Sequence, residues 1–146
     1  VCYSVASEEL QKASVAERQV KAVQHLLGTR FPIKTEIQYV SSLNVGSSCC
    51  VVLKTSTTIL GGDSLGAQGK RAEVVGAEAC AHLLSAIDSV SGVDAHVADN
   101  LIPLIVLLTG TLRTSEITEH TKTALWTLQH FMEFKLSVTG KTVTVI

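Results

Sequence analysis

The sequence is poor in the features that mark membrane-spanning, secreted and disordered proteins. Its 146 residues include two prolines, one tryptophan and one methionine, and aromatic residues make up only 4%. The longest apolar run, residues 101–108, is far shorter than the roughly 20 residues that a membrane span needs. No secretory signal is recognisable either. We therefore expect a cytoplasmic protein with no membrane anchor.

The charges are nearly balanced, with 12 lysines and arginines against 13 aspartates and glutamates, for a formal net charge of −1. Such a balance gives no bulk electrostatic attraction to nucleic acid, so any nucleic-acid contact would come from a local site or from parts of the protein missing here. Hydrophobic residues make up 46% of the chain and charged residues 17%. This composition predicts a well-packed core within one domain over residues 1–146.

The four cysteines do not form a disulfide or metal pattern. Cys49 and Cys50 are adjacent in a predicted strand and should point to opposite faces, while Cys80 falls in a predicted helix. Reduced thiols in a reducing cytosol explain them better than disulfides do. Neither the cysteines nor His25, His82 and His130 show C-x-x-C or H-E-x-x-H spacing, so no zinc site is predicted.

Hydrophobic periodicity predicts alternating strands and helices. Ser14 and Glu17 have the spacing of a capping box, which predicts a helix of about 14 residues ending near Gly28. Gly61-Gly62-Asp63 should end a strand. The predicted strands are 2–7, 33–40, 49–55 with an extension over 57–60, 112–117, 135–138 and 142–146, and the later helices are 69–87, 93–108 and 120–133. This order favours an α+β fold, an α/β sandwich in which helices pack on one face of a mixed sheet.

Two segments carry more polar chemistry than packing requires. His96, Asp99 and Asn100 share one face at the start of the helix predicted from residue 93, where they form either a solvated helix terminus or a binding site. His120 lies between threonines where a strand gives way to a helix, so its side chain can reach a ligand.

The glycine-rich turn Gly66-Ala67-Gln68-Gly69-Lys70 opens the helix predicted from residue 69. Only two residues separate its glycines, so it is not a P-loop. Lys70 and Arg71 could meet a phosphate there, although a purely structural turn is the favoured interpretation.

Taken in order, these blocks resemble the C-terminal part of RNA 3′-terminal phosphate cyclases. The matching segments are Val5–Ser7 with Val15–Arg18, similar to the start of the family's last repeat, then Asn44–Ser48, Leu65–Gly76, Val93–Leu101 and Ser115–Trp126. The chain departs from the family at Asn100, where glutamine is usual, at Ser47-Ser48, where a second glycine is common, and at Ala124, where many members have asparagine.

The resemblance implies an enzyme that uses ATP to convert an RNA 3′-phosphate end to a 2′,3′-cyclic phosphate. It makes His120 the nucleophile that forms a covalent histidine–AMP intermediate. It makes His96 the side chain that stacks on adenine, and it assigns Asp99, with Asn100, to contacts with the nucleotide or to the positioning of its metal. ATP with Mg²⁺ or Mn²⁺ is the implied cofactor set, and RNA with a 3′-phosphate end is the implied substrate.

Members of this family are more than twice as long, with several repeats of a small α/β unit and an inserted domain. The resemblance therefore implies that residues 1–146 are a single C-terminal α/β domain, the last repeat of a multi-repeat architecture without its N-terminal repeats. The chain begins at Val1 and its only methionine is Met132, which also indicates an incomplete translation product. We expect the missing N-terminal portion to be a partner and the chain alone to be inactive.

Two other functions stay open. The chain could be a non-catalytic cyclase-like protein that binds RNA in ribosome assembly, although those relatives lack the histidine kept here as His120. An enolpyruvyl transferase is more remote, because it shares the repeat architecture but does not use the histidine block.

Overall fold

The computed structural model describes residues 1–146, which divide into two compact units. The first unit comprises Val1–Thr55 and Ile59–Leu84, and the second comprises Ser56–Thr58 and Ser85–Ile146. The sequence analysis predicted one domain over the same residues, whereas the contacts of the folded chain separate into these two groups.

The first unit is a mixed four-stranded sheet with helices packed against it. Its strands are β1 (Cys2–Ser7), β2 (Thr35–Val40), β3 (Ser47–Lys54) and β4 (Ile59–Leu65). Their order is β2-β1-β3-β4, with β1 parallel to β2 and the other neighbours antiparallel. Helix α1 (Val15–Leu27) packs on β1, β2 and β3. The predicted α+β class, with a mixed sheet and helices against it, is confirmed. The remaining elements are a 3-10 helix (Glu8–Ala13) and α2 (Ala72–Asp88), whose last turn belongs to the second unit.

The predicted capping box at the start of α1 is wrong. Ser14 has φ 49° and ψ 43°, a left-handed conformation, and its side chain makes no capping hydrogen bond. Capping serines have an extended backbone that aims the hydroxyl at the first-turn amides, and a left-handed serine does not. Ser14 instead joins the 3-10 helix to α1, and its backbone N–H donates to the Gln11 carbonyl at 2.8 Å.

Gly61-Gly62-Asp63 does not end a strand, contrary to the sequence prediction, but lies inside β4. The reason is a close approach between β4 and α2. A Cβ on Gly62 would lie 2.3 Å from both the Ala79 carbonyl oxygen and the Leu83 nitrogen. Glycine at this position lets the strand backbone contact the helix backbone directly, which no larger residue permits.

All four cysteines are free thiols, as predicted, and three of them are buried in the first unit. The Sγ atoms of Cys2 and Cys49 lie 3.9 Å apart. Cys49 is buried and Cys50 is half-buried, which confirms that their side chains leave opposite faces of β3. Burial raises the pKa of Cys80 to about 11, so this thiol stays protonated at neutral pH and is a poor nucleophile.

The second unit packs two helices, α3 (Ala95–Leu108) and α4 (Glu119–Leu128), with a small antiparallel sheet of β5 (Gly110–Arg113), β6 (Leu136–Thr139) and β7 (Thr142–Val145). The strand order in this sheet is β5-β7-β6. Helix α3 contacts both α4 and β5. The strand predicted over 112–117 lies earlier, as β5, and the helix predicted to reach residue 133 ends at Leu128. None of the helices is long and apolar enough to span a membrane. The elements of this unit surround a core of Ala98, Ile102, Val106, Leu112, Leu125, Val143 and Val145.

Candidate functional site

His120 is the second residue of α4, and its side chain is exposed. Thr118 precedes the helix in an extended conformation, and its Oγ1 accepts a hydrogen bond from the Thr121 backbone N–H at 3.0 Å. The sequence therefore starts the helix with a threonine cap and places His120 in its first turn. First-turn N–H groups lack intrahelical partners, and the helix dipole favours negative charge there. His120 thus lies at a helix end suited to a phosphate group.

The carboxylate of Asp99, on α3, holds this helix start in position. Asp99 Oδ1 accepts hydrogen bonds from Thr118 Oγ1 at 2.6 Å and from Thr121 Oγ1 at 2.5 Å. Thr121 is fully buried. Hydrogen bonds to an ionised acceptor are among the stronger ones in proteins. Asp99 therefore fixes the residues on both sides of His120 and, through them, the position of the histidine.

An open pocket of about 450 Å³ lies beside His120. Helix α3 contributes Asp99 and Pro103 to its lining, and α4 contributes His120, Thr123, Ala124, Thr127 and Leu128. Pro103 lies inside α3 and has no backbone N–H. Asp99 is four residues earlier, so its carbonyl does not receive the usual helix hydrogen bond. This carbonyl is an acceptor that a bound molecule could use.

His96 and Asn100 lie on the first two turns of α3 and do not line this pocket. Both side chains are exposed. Asp94 caps α3, with its side chain accepting from the Val97 N–H at 2.9 Å. The Asn100 side chain donates to the His96 carbonyl at 2.8 Å. Of the four predicted site residues, the structure brings Asp99 and His120 together at one pocket and places His96 and Asn100 outside it.

Positive charge is scarce around His120. No lysine or arginine lines the pocket. Lys122, two residues further along α4, is paired through Nζ with Glu119 Oε1 at 2.5 Å. No group of three or more histidine, cysteine, aspartate or glutamate side chains is arranged to hold a metal ion. The lining of this pocket therefore offers no side-chain cation that could neutralise a phosphate group.

A second pocket, of about 540 Å³, lies in the first unit beside the glycine-rich turn Gly66–Lys70. Lys70 Nζ donates to Ser64 Oγ and to the Leu65 carbonyl, each at 3.0 Å, and pairs with Glu78. Gly69 has φ +79°, a conformation that favours glycine. Because its lysine is engaged within the unit, the turn has the structural role that the sequence analysis favoured.

Sequence reasoning missed Pro103 as a pocket residue and the hydrogen bonds that join Asp99 to the threonines flanking His120. Thr118 and Thr121 were recognised as flanking hydroxyls, but their shared acceptor Asp99 was assigned to the nucleotide. Pro103 was not considered. A proline four residues after an aspartate within a helical pattern was the available signal, since it marks a carbonyl without its helix partner.

Residues 2–88 match the family model for the insert domain of RNA 3′-terminal phosphate cyclase. The sequence analysis had interpreted two segments within this range, Val5–Ser7 and Val15–Arg18, as the start of the family's last repeat. The family model instead assigns them to the insert domain. The histidine block lies outside the matched range.

Curated relatives align with most of the chain. It is 40% identical over 121 residues to the RNA 3′-terminal phosphate cyclase of Pyrococcus abyssi, covering 82% of this chain and 35% of the relative. The enzyme of Pyrococcus furiosus is 39% identical over 131 residues, which is 88% of this chain and 38% of the relative. That of Saccharolobus solfataricus is 33% identical over 130 residues, covering 87% and 38%. The chain thus spans little more than a third of the length of these relatives.

Proposed function

Because the chain belongs to the RNA 3′-terminal phosphate cyclase family, we propose that it acts within a longer cyclase. That enzyme would convert an RNA 3′-phosphate end to a 2′,3′-cyclic phosphate at the expense of ATP. The observation that carries the proposal is His120, exposed in the first turn of α4 beside an open pocket and fixed through Asp99. The three relatives described above are named RNA 3′-terminal phosphate cyclase, which supports the proposed substrate class.

In the first step an imidazole nitrogen of His120 attacks the α-phosphorus of ATP. A P–N bond forms, the bond to the bridging oxygen breaks, and pyrophosphate leaves. Imidazole is suited to this role because its neutral form carries a nitrogen lone pair that can attack phosphorus. The first-turn amides of α4 are the groups that would donate to the phosphate oxygens.

In the second step an oxygen of the RNA 3′-phosphate attacks the same phosphorus. The P–N bond breaks, AMP passes to the RNA end and His120 is regenerated. In the third step the neighbouring 2′-hydroxyl loses its proton and attacks the 3′-phosphorus. The 2′,3′-cyclic phosphate forms, and AMP leaves with the electron pair of the broken P–O bond.

Asp99 is a positioning residue in this proposal, since its Oδ1 already accepts from the two threonines that flank His120. His96 and Asn100 keep the roles that the family resemblance implied, adenine stacking for the exposed imidazole and a nucleotide contact for the amide. A nucleotide that contacts both His96 and the pocket beside His120 would lie along the start of α3.

ATP and a divalent cation, Mg²⁺ or Mn²⁺, complete the proposal. Mg²⁺ commonly binds one or two carboxylates together with the phosphates of its substrate and does not need an all-protein cage. The donor set beside His120 fits that pattern, because Asp99 is the one carboxylate lining the pocket. The ion would supply charge neutralisation of the triphosphate when bound.

The non-catalytic alternative is disfavoured by His120, the residue that cyclase-like assembly proteins lack. The four free thiols fit a reducing compartment, so we also propose a cytoplasmic location.

The test is self-labelling of the full-length protein with α-labelled ATP and Mg²⁺. His120→Asn should abolish both the acid-labile label and cyclisation, because asparagine offers no comparable nucleophile. His25→Asn, which changes an exposed histidine of α1, is the matched control and should retain both activities. Labelling that survives in His120→Asn would overturn the assignment of the nucleophile.

A further inference from the structure

Two aromatic rings are exposed beyond His120: Trp126 lies on α4, and His130 lies in the turn just after that helix ends. Trp126 is 63% exposed, an unusual position for the largest apolar side chain and the only tryptophan of the chain. The ring centroids of Trp126 and His130 lie 4.3 Å apart with an interplanar angle of 54°. The His130 Nδ1 donates to the Trp126 carbonyl at 2.9 Å, which fixes the imidazole in this arrangement.

The helix geometry connects these rings to the nucleophile. His120, Thr123 and Thr127 recur at helical spacing within α4 and form one exposed stripe, and Trp126 lies beside it on the same helix. Thr123 and Thr127 also line the pocket beside His120. From His120 to Trp126 the axial rise is about 9 Å, the length of two to three stacked nucleotides at roughly 3.4 Å each.

We propose that Trp126, supported by His130, is a stacking platform for an unpaired base of the RNA substrate, two or three nucleotides before its 3′-phosphate. The inference rests on the proposed function, because His120 defines where the 3′ end must lie. A flat, solvent-exposed indole held by a neighbouring ring is the usual means of binding single-stranded RNA without reading its sequence. Stacking also suits a surface poor in free cations, since Lys122 is already paired with Glu119.

The test measures the Kd of the full-length protein for a fluorescently labelled oligoribonucleotide that carries a 3′-phosphate. Trp126→Ala should raise Kd roughly 5- to 150-fold, the range that corresponds to loss of one base–aromatic stack. Trp126→Phe should keep most of the affinity, because it preserves a flat ring. Leu107→Ala removes a similarly exposed apolar side chain of α3, 62% exposed, and should leave Kd unchanged.

A second oligonucleotide, abasic at the three positions before the terminal nucleotide, separates stacking from a structural role. Trp126→Ala should have little effect on binding of this RNA. An equal loss of affinity for the intact and abasic RNAs, or an unchanged Kd for the intact RNA, would contradict the proposal that Trp126 stacks on a base. Self-labelling of the unaltered protein with ATP alone tests His120 independently, because no RNA takes part in that step.

Discussion

The hydroxyl of Thr121 donates a 2.5 Å hydrogen bond to the carboxylate of Asp99 and joins the first turn of α4 to α3. The two residues are 22 positions apart in the sequence. Because His120 directly precedes Thr121, the bond couples the packing of two helices to the position of the proposed nucleophile. We therefore expect Asp99 to contribute to stability as well as to the proposed function.

We expect Asp99→Ala to destabilise the chain by about 1–3 kcal/mol, because it leaves the buried Thr121 hydroxyl without its acceptor. Asp99→Asn should cost less, since its amide oxygen can still accept. The free energy of urea unfolding checks both. Glu116→Ala removes an exposed carboxylate of the same unit and should change stability by no more than about 0.5 kcal/mol. An Asp99→Ala chain as stable as this control would show that the hydrogen bond between Thr121 and Asp99 does not stabilise the fold.

His96 gives a prediction about nucleotide affinity. If its exposed imidazole stacks on adenine, His96→Ala should weaken ATP binding to the full-length protein by about 1–3 kcal/mol. His96→Phe should be tolerated because it keeps a flat face. Calorimetric titration with ATP checks both variants. An unchanged affinity in His96→Ala would favour the alternative that the sequence left open, in which His96 is a solvated residue at the start of α3.

The sequence predicted most elements, because their hydrophobic periodicity reflects local burial, but it did not predict close contacts between elements. Ser14 has the residue type and spacing of a capping box, yet it directly follows a 3-10 helix and has a left-handed conformation that does not aim its hydroxyl at the first-turn amides. Gly62 looked like a strand terminator, and only the approach of α2 shows why a strand needs glycine there.

For the candidate site, too, the sequence predicted local features but not the contacts between elements. His120 was identifiable from its threonine-rich context and family resemblance, and its place in the first turn of α4 follows from the Thr118 cap. The hydrogen bonds that tie Asp99 to the threonines were not predictable, because they depend on how α3 packs against α4. The nucleophilic role of His120 and the nucleotide roles of His96, Asp99 and Asn100 stay predictions.

A pH prediction follows from the ion pair between α1 and α2. Arg18 donates to both carboxylate oxygens of Glu73, at 2.8 and 2.9 Å. These hydrogen bonds lower the pKa of Glu73 from its ordinary 4.5 to about 2. A depressed pKa in the folded state means that the stabilisation is fully present above the unfolded-state pKa and is lost as pH falls towards 2.

Glu73→Gln should therefore be less stable than the unaltered chain at pH 6, and the difference should shrink steadily between pH 5 and pH 2. Urea midpoints across that range measure it. Glu9→Gln, which changes an exposed glutamate of the 3-10 helix, is the control and should follow the unaltered chain. A difference that stays constant with pH would mean that Glu73 stabilises through packing and not through its charge.

The last prediction concerns the 146-residue chain by itself, which we expect to carry the nucleophile without being a competent cyclase. Attack on ATP requires the triphosphate to be held in line and its charge to be neutralised, and these two effects account for most of the catalysis in such transfers. The pocket beside His120 has no lysine or arginine in its lining, and the nearby Lys122 is paired with Glu119.

Incubation of this chain with α-labelled ATP and Mg²⁺ should leave His120 unlabelled under conditions that label the full-length protein. Addition of the separately expressed N-terminal portion should restore the label, and His120→Asn should prevent that restoration. Efficient labelling of the chain alone would show that its first-turn amides and Asp99-fixed geometry activate ATP without added positive charge.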